Sequence, residues 1–202
     1  MALRLFYVFL LILIGILAYR AYIFYDARQS LTNPPATFVF GPEDADLVVN
    51  EFLDYACPYC KEVHPALKEA IAQDGNVRLA PRPLLSRNPN GTGAAYIFYA
   101  AGMSGKAEEA HNFLMENEDD ITDERLPEIA ETLGIEFEEF KANLTSTKTR
   151  DYITDNYNTF NTFGGSGTPT FFIGPDLMYM SEDGLPDTQK FLELFDEARA
   201  MQ

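Results

Sequence analysis

The 202-residue chain carries 31 acidic against 15 basic side chains, a formal charge of -16, and that surplus repels a phosphate backbone and argues against nucleic-acid binding. A hydrophobic share of 47% supports a packed core in one domain of ordinary size with a short appendage. Much of the acid lies between Glu108 and Glu139, where a solvated, solubilising surface accounts for it.

Leu5 to Tyr19 is an uninterrupted apolar run that resumes after Arg20 as Ala21 to Tyr25, about the twenty residues that a bilayer-spanning helix needs. Arg20 can snorkel to headgroups. Phe6, Tyr7 and Phe9 at one end and Tyr19, Tyr22, Phe24 and Tyr25 at the other match interfacial aromatic belts. Residues 1–25 therefore read as a transmembrane signal anchor. A cleaved signal peptide is the competing reading, and it needs small residues at the third and first positions before the cut. Ala18, Ala21 and Ala27 are preceded at the required place by Ile16, Tyr19 and Tyr25. Arg4 and the amino terminus on one side balance Arg20 and Arg28 on the other, so charge does not set the orientation. Residues 26–37, with Ser30, Asn33 and Pro34-Pro35, have the composition of a tether, and the globular domain is expected over 38–202.

Within that domain Val48, Val49, Phe52 and Leu53 predict a buried strand. Val63, Leu67, Ala70 and Ile71 recur at helical spacing until Asp74-Gly75 stops them. Val77 to Ala80 predicts a second strand, closed off by Pro81, Pro83 and the turn residues Asn88 to Gly91. Helices are expected over 94–101, 107–115, 124–133, 137–144 and 149–160, a helical insertion spanning about 90–163. Thr170 to Ile173 and Leu177 to Met180 predict a hairpin turning at Gly174-Pro175-Asp176, and Phe191 to Ala198 a closing amphipathic helix.

The chain has two cysteines, Cys57 and Cys60, and chance would space two cysteines this way about one time in a hundred in a chain of this length. They lie where a strand gives way to a helix, so Cys57 is expected at the helix N-terminus, where backbone N–H groups favour a thiolate. Cys60, one turn in, is expected to be more buried and to act as the resolving thiol. Pro58 suits the first turn because its missing N–H has no intrahelical partner there. A zinc site is the competing reading, with His64 as third ligand and His111 the only other histidine. The expectation is no metal, with His64 on the helix surface facing the same side as the cysteines.

Gly41-Pro42-Glu43-Asp44-Ala45, Val49 to Cys60 and His64-Pro65, with Gly167-Thr168-Pro169-Thr170-Phe171-Phe172-Ile173 more than a hundred residues later, resemble the DsbA-like thioredoxin family over about residues 38–200. The resemblance implies an α/β thioredoxin fold with an inserted helical subdomain. Tyr59 stands where the family usually has histidine between its cysteines. By position, Glu51 corresponds to a buried acid that moves the proton of the second cysteine, and an apolar setting raises a carboxyl toward the range a proton acceptor needs. The bland alternative is an exposed alternate-face residue. Thr168-Pro169 resembles the cis-proline dipeptide that faces the cysteines, so Thr168, Pro169, Pro58, Tyr59 and His64 are the expected substrate-contacting residues.

The resemblance implies a thiol–disulfide oxidoreductase that oxidises cysteine-containing protein substrates through a Cys57–Cys60 disulfide, with no bound cofactor and a DsbB-type membrane redox partner. An oxidising compartment suits such chemistry, so the expected place is the inner membrane, single-pass, with the domain facing the periplasm or cell exterior. The alternatives are an anchored reductase for one client, a non-catalytic binding module of the same fold, and a glutaredoxin-like enzyme suggested by Pro58-Tyr59.

Overall fold

The computed structural model describes residues 2–117, 121–180 and 184–202. Met1 of the expected anchor and Glu118, Asp119 and Asp120 of the acidic stretch in the expected insertion lie outside the described residues. Helix α1 runs over Ala2–Thr32, and it is long and apolar enough to cross a membrane.

The tether reading of residues 26–37 is corrected. Residues 26–32 are the last two turns of α1, and Ala27 and Leu31, four apart on one face, are buried. Leu31 packs with Phe52, Leu84, Phe160 and Phe172, and Phe24 meets Phe163 at 5.0 Å between ring centres. Arg28 holds both carboxylate oxygens of Asp176 at 2.7 Å. Buried Arg82 donates to the Ser30 hydroxyl at 2.9 Å, to the Ser30 carbonyl, to Asn50 at 2.8 Å and to Asn156 at 3.2 Å. The segment looks like a tether because only every fourth residue is apolar. It folds because the preceding apolar helix supplies the nucleus, and Pro34 then stops it.

Strand β1 (Leu47–Leu53) lies at the centre of a mixed sheet. It pairs in parallel with β2 (Val77–Pro83) on one side and antiparallel with β3 (Thr170–Ile173) on the other. Strand β4 (Leu177–Met180) completes the order β2-β1-β3-β4. Pro81 and Pro83 do not end the second strand, as expected, but lie within it. Because β2 is an edge strand and the two are separated by one residue, their missing N–H groups fall on one side and cost no ladder bond when that side faces outward.

Helix α2 (Pro58–Asp74) connects β1 to β2, and α8 (Thr188–Ala200) packs beside it. Together they cover the sheet face that carries Leu47, Val49, Phe171 and Ile173. Between β2 and β3 the described residues form helices α3 (Pro89–Met103), α4 (Ala107–Asn117), α5 (Leu126–Thr132), α6 (Phe137–Leu144) and α7 (Thr147–Thr162), with a 3-10 turn at Asp123–Arg125. Helix α3 starts well before the expected residue 94. Asn88 caps it by accepting from the Asn90 N–H at 3.0 Å, and Pro89 fills its first position, so the residues read as a turn are a helix start.

Candidate active site

The end of β1 delivers the chain into a tight turn: the Ala56 N–H donates to the Asp54 carboxylate at 2.9 Å and the Cys57 N–H to the Asp54 carbonyl at 2.8 Å. Cys57 is thereby the N-cap of α2, with Pro58 as its first helical residue. Both thiols are free, Cys57 half-buried and Cys60 fully enclosed.

The two sulfurs have opposite electrostatics. Cys57 is lowered to about 5, first by the hydrogen bond that Cys60 gives it. Burial opposes this, while the Thr168 side chain and the backbone N–H groups of Cys60 and Tyr59 add to it. The Thr168 carbonyl accepts from the protonated form at 3.4 Å, and the Thr168-Pro169 peptide is cis. Cys60 is pushed far above the ordinary thiol range by burial, by its hydrogen bond to Cys57 and by the negative charge of Glu51. A thiolate therefore forms at Cys57 near neutral pH while Cys60 keeps its proton, which makes Cys57 the better nucleophile and the better leaving group.

Pro58 and Tyr59 are exposed beside Cys57, Tyr59 to 57%, whereas Thr168 is half-buried and Pro169 buried. Glu51 has the same parity on β1 as Leu47 and Val49, is 0% exposed, and neither of its oxygens has a hydrogen-bond partner. Burial raises it to about 8.

The surface reading of His64 is corrected. Its side chain turns inward from α2, leaving 8% of the residue exposed, and its ring meets that of His111 at 4.9 Å. Substrate contact is therefore not its geometry. It is buried where α2 meets α4, its ring against His111 and neighbouring Lys68 bonded to Asn112 at 2.8 Å.

His111 and Tyr55 were not singled out as site residues by sequence, yet both are buried and hydrogen-bonded to one another at 3.0 Å. The available signal for His111 was its place in the apolar stripe Ala107, Ala110, Leu114 of α4. Donor atoms of Glu51, His64 and His111 lie within 4.8 Å of one another, the group among the described residues closest to a metal-ligand set. The two histidines thus converge on Glu51.

The family described as Thioredoxin matches residues 33–193. A thioredoxin-like oxidoreductase from Silicibacter pomeroyi superposes with a TM-score of 0.73 at 27% identity, covering 86% of this chain and 98% of that one. The thiol-disulfide exchange protein alpha-DsbA2 from Wolbachia pipientis shares the fold, with a TM-score of 0.70 at 21% identity over 89% of this chain and 97% of that one. A Na(+)/H(+) antiporter, NhaA 3 of Salinispora tropica, is 31% identical over 143 residues, 70% of this chain and 22% of the antiporter. The chain spans about a fifth of the length of the curated relatives it matches.

Proposed function

The chain belongs to the Thioredoxin family and has a DsbA-like thioredoxin fold, and from that premise we propose that it is a thiol–disulfide oxidoreductase, working as an oxidase of protein dithiols outside the cytoplasm. The observation that carries this reading is the split between the two thiols, with Cys57 lowered to about 5 and Cys60 raised. A stabilised Cys57 thiolate favours the reduced protein, which makes its disulfide a stronger oxidant.

In the proposed cycle a substrate thiolate attacks Cys57 of the Cys57–Cys60 disulfide. A mixed disulfide forms at Cys57, and the electron pair of the broken bond goes to Cys60. A second substrate thiolate then attacks the substrate sulfur of the mixed disulfide and releases the Cys57 thiolate, leaving an oxidised substrate and a reduced enzyme. Glu51 serves the proton of Cys60, the backbone of Thr168 beside Pro169 pairs with the extended substrate segment, and Pro58 and Tyr59 contact it. The clients are cysteine-containing proteins, a DsbB-type membrane partner restores the disulfide, and no bound cofactor takes part. Helix α1 holds the domain at the inner membrane as a single span, facing the periplasm or cell exterior.

The test is a redox equilibration of the full chain in detergent, paired with oxidation of a reduced two-cysteine peptide. A potential well above the approximately -270 mV of thioredoxin, with peptide turnover, supports the oxidase. A potential at or below that value makes the chain a reductase.

A further inference from the structure

Whichever way the disulfide exchange runs, one proton has to cross between Cys60 and solvent, because Cys60 is fully enclosed and must be neutral when reduced. Direct access through Cys57 is blocked while a substrate sulfur is bonded there. We propose that His64 and His111 extend Glu51 into a buried proton-transfer chain that links Cys60 to the surface of α2. The proposal rests on the thiol–disulfide cycle above and goes beyond it by naming the path.

The geometry comes from three elements and a loop. Glu51 stands on β1, His64 on α2, His111 on α4, and Tyr55 in the turn after β1. Both Glu51 oxygens, His64 Nδ1 and His111 Nε2 are buried with no hydrogen-bond partner, although donor atoms of the three residues lie within 4.8 Å of one another. Leaving such groups buried and unpaired is unfavourable, so the cluster favours whatever joins them. Two candidates can do so. A water that makes hydrogen bonds of about 2.8 Å bridges polar atoms up to nearly 5 Å apart, the range within which these donors fall. A tetrahedral zinc with bonds of about 2.0–2.1 Å needs its donors some 3.3 Å apart, well inside the 4.8 Å that bounds these atoms. A dication beside a single carboxylate leaves charge uncompensated in an apolar interior. The spacing admits a shared water, and the single carboxylate favours that water over a metal.

Charge distribution sets the direction of the chain. Tyr55 is held in its protonated form by burial and by the charges of Glu51, Tyr99 and Cys60. Its hydroxyl lies 3.0 Å from His111 Nδ1 and shares one proton with it, which leaves the unpartnered Nε2 as the other relay atom of that ring. Burial keeps both histidines neutral, lowering His64 to about 4 with help from the Lys68 ammonium, and holding His111 well below the ordinary imidazole range with help from His64 and Lys68. His64 is the one member of the chain with any exposed surface, 8%, so an imidazolium formed there loses its proton to solvent. The groups facing the chain are Cys57, Cys60 and Lys68 on α2, Tyr55 in the turn and Tyr99 on α3.

In the oxidising direction the Cys57–Cys60 bond breaks and its electron pair goes to Cys60. The Glu51 carboxyl protonates that thiolate, and Glu51 recovers a proton from solvent through His64 and His111. In the reducing direction each transfer reverses and one proton leaves.

The experiment is stopped-flow mixing of the oxidised full chain in detergent with a single-cysteine peptide, across pH 5.5 to 9, for wild type, Glu51→Gln, His64→Gln and His111→Gln. The relay requires both histidine variants to slow the proton-coupled step about tenfold or more near pH 7 and to change its pH profile, with added imidazole restoring the His64 variant. The pH midpoint of Cys57 alkylation must stay where it is in wild type. Histidine variants at wild-type rates overturn the relay, and if Glu51→Gln alone is slow the function of Glu51 survives. Wild-type rates in all three remove both. A shifted Cys57 midpoint in the histidine variants, or stoichiometric Co(II) uptake by wild type that His64→Gln abolishes, overturns the relay in favour of a structural role or a metal. If His111→Gln does not fold, His64→Gln at the edge of the cluster decides the question alone.

Discussion

Replacing Glu51 with Gln is expected to stabilise the fold, and the gain is expected to grow with pH. Glu51 is fully buried without a partner, and burial alone raises it from 4.5 to about 8. Because the folded-state value lies above the unfolded one, the folded protein holds this proton more tightly. Stability is complete below about pH 4.5 and is lost as pH rises through 8. Each pH unit in that interval is worth about 1.36 kcal/mol, so the cost is about 3 kcal/mol at pH 7 and about 4 kcal/mol by pH 8, where the folded group is half titrated. Glutamine keeps the shape and does not titrate. Guanidinium denaturation of the reduced full chain in detergent, at pH 4, 5, 6, 7 and 8, measures the difference between the two proteins. Contributions common to both, such as the Asp74 carboxyl held low by Arg199, cancel in that difference. Near-equality at pH 4 and a gain of about 3 kcal/mol at pH 7 are expected. A difference that stays constant from pH 4.5 to 8, or shrinks, refutes the argument, because it means Glu51 is ionised in the folded state.

Iodoacetamide labelling at pH 6 should modify Cys57 and spare Cys60, with a rate midpoint near pH 5; equal labelling by mass spectrometry contradicts the assigned asymmetry. Arg82→Leu strands the acceptors on Ser30, Asn50 and Asn156 and should cost about 3 kcal/mol. Faster amide exchange over residues 27–32 is its signature, and unchanged protection there rules out Arg82 as the latch for the end of α1. Gly91→Ala puts a methyl 2.3 Å from the Asp54 carboxylate, 2.7 Å from Ser86 and 2.9 Å from Ala56, so it should cost about 1–3 kcal/mol and disturb the turn that presents Cys57, read as a lower denaturation midpoint and altered alkylation kinetics. The full chain should fractionate with membranes after alkaline extraction, and a mature N-terminus found near residue 22 or 28 contradicts an uncleaved anchor.

Local signals in the sequence determined the strand before Cys57, the cysteine pair at the start of α2, the hairpin and closing helix, and α6 at its observed bounds. Each follows from side-chain periodicity, caps and turn residues, which act within a few positions. The inward side of Glu51 came from the family resemblance and not from periodicity, because β1 is buried on both faces and parity alone leaves an exposed carboxylate open. Tertiary structure alone decided the rest. Tyr55 and His111 are 56 residues apart in the chain, and nothing local to either says that α4 will bring them together beneath α2. Pro81 and Pro83 look like strand breakers until β2 is known to be an edge, because a proline costs a ladder bond only where a neighbouring strand exists to accept one. Asp26 to Thr32 looks like a tether because its composition is polar. Its helical state depends on Leu31 and Arg82 finding partners on β1, β3 and α7, and such long-range burial has no signature in the segment it stabilises.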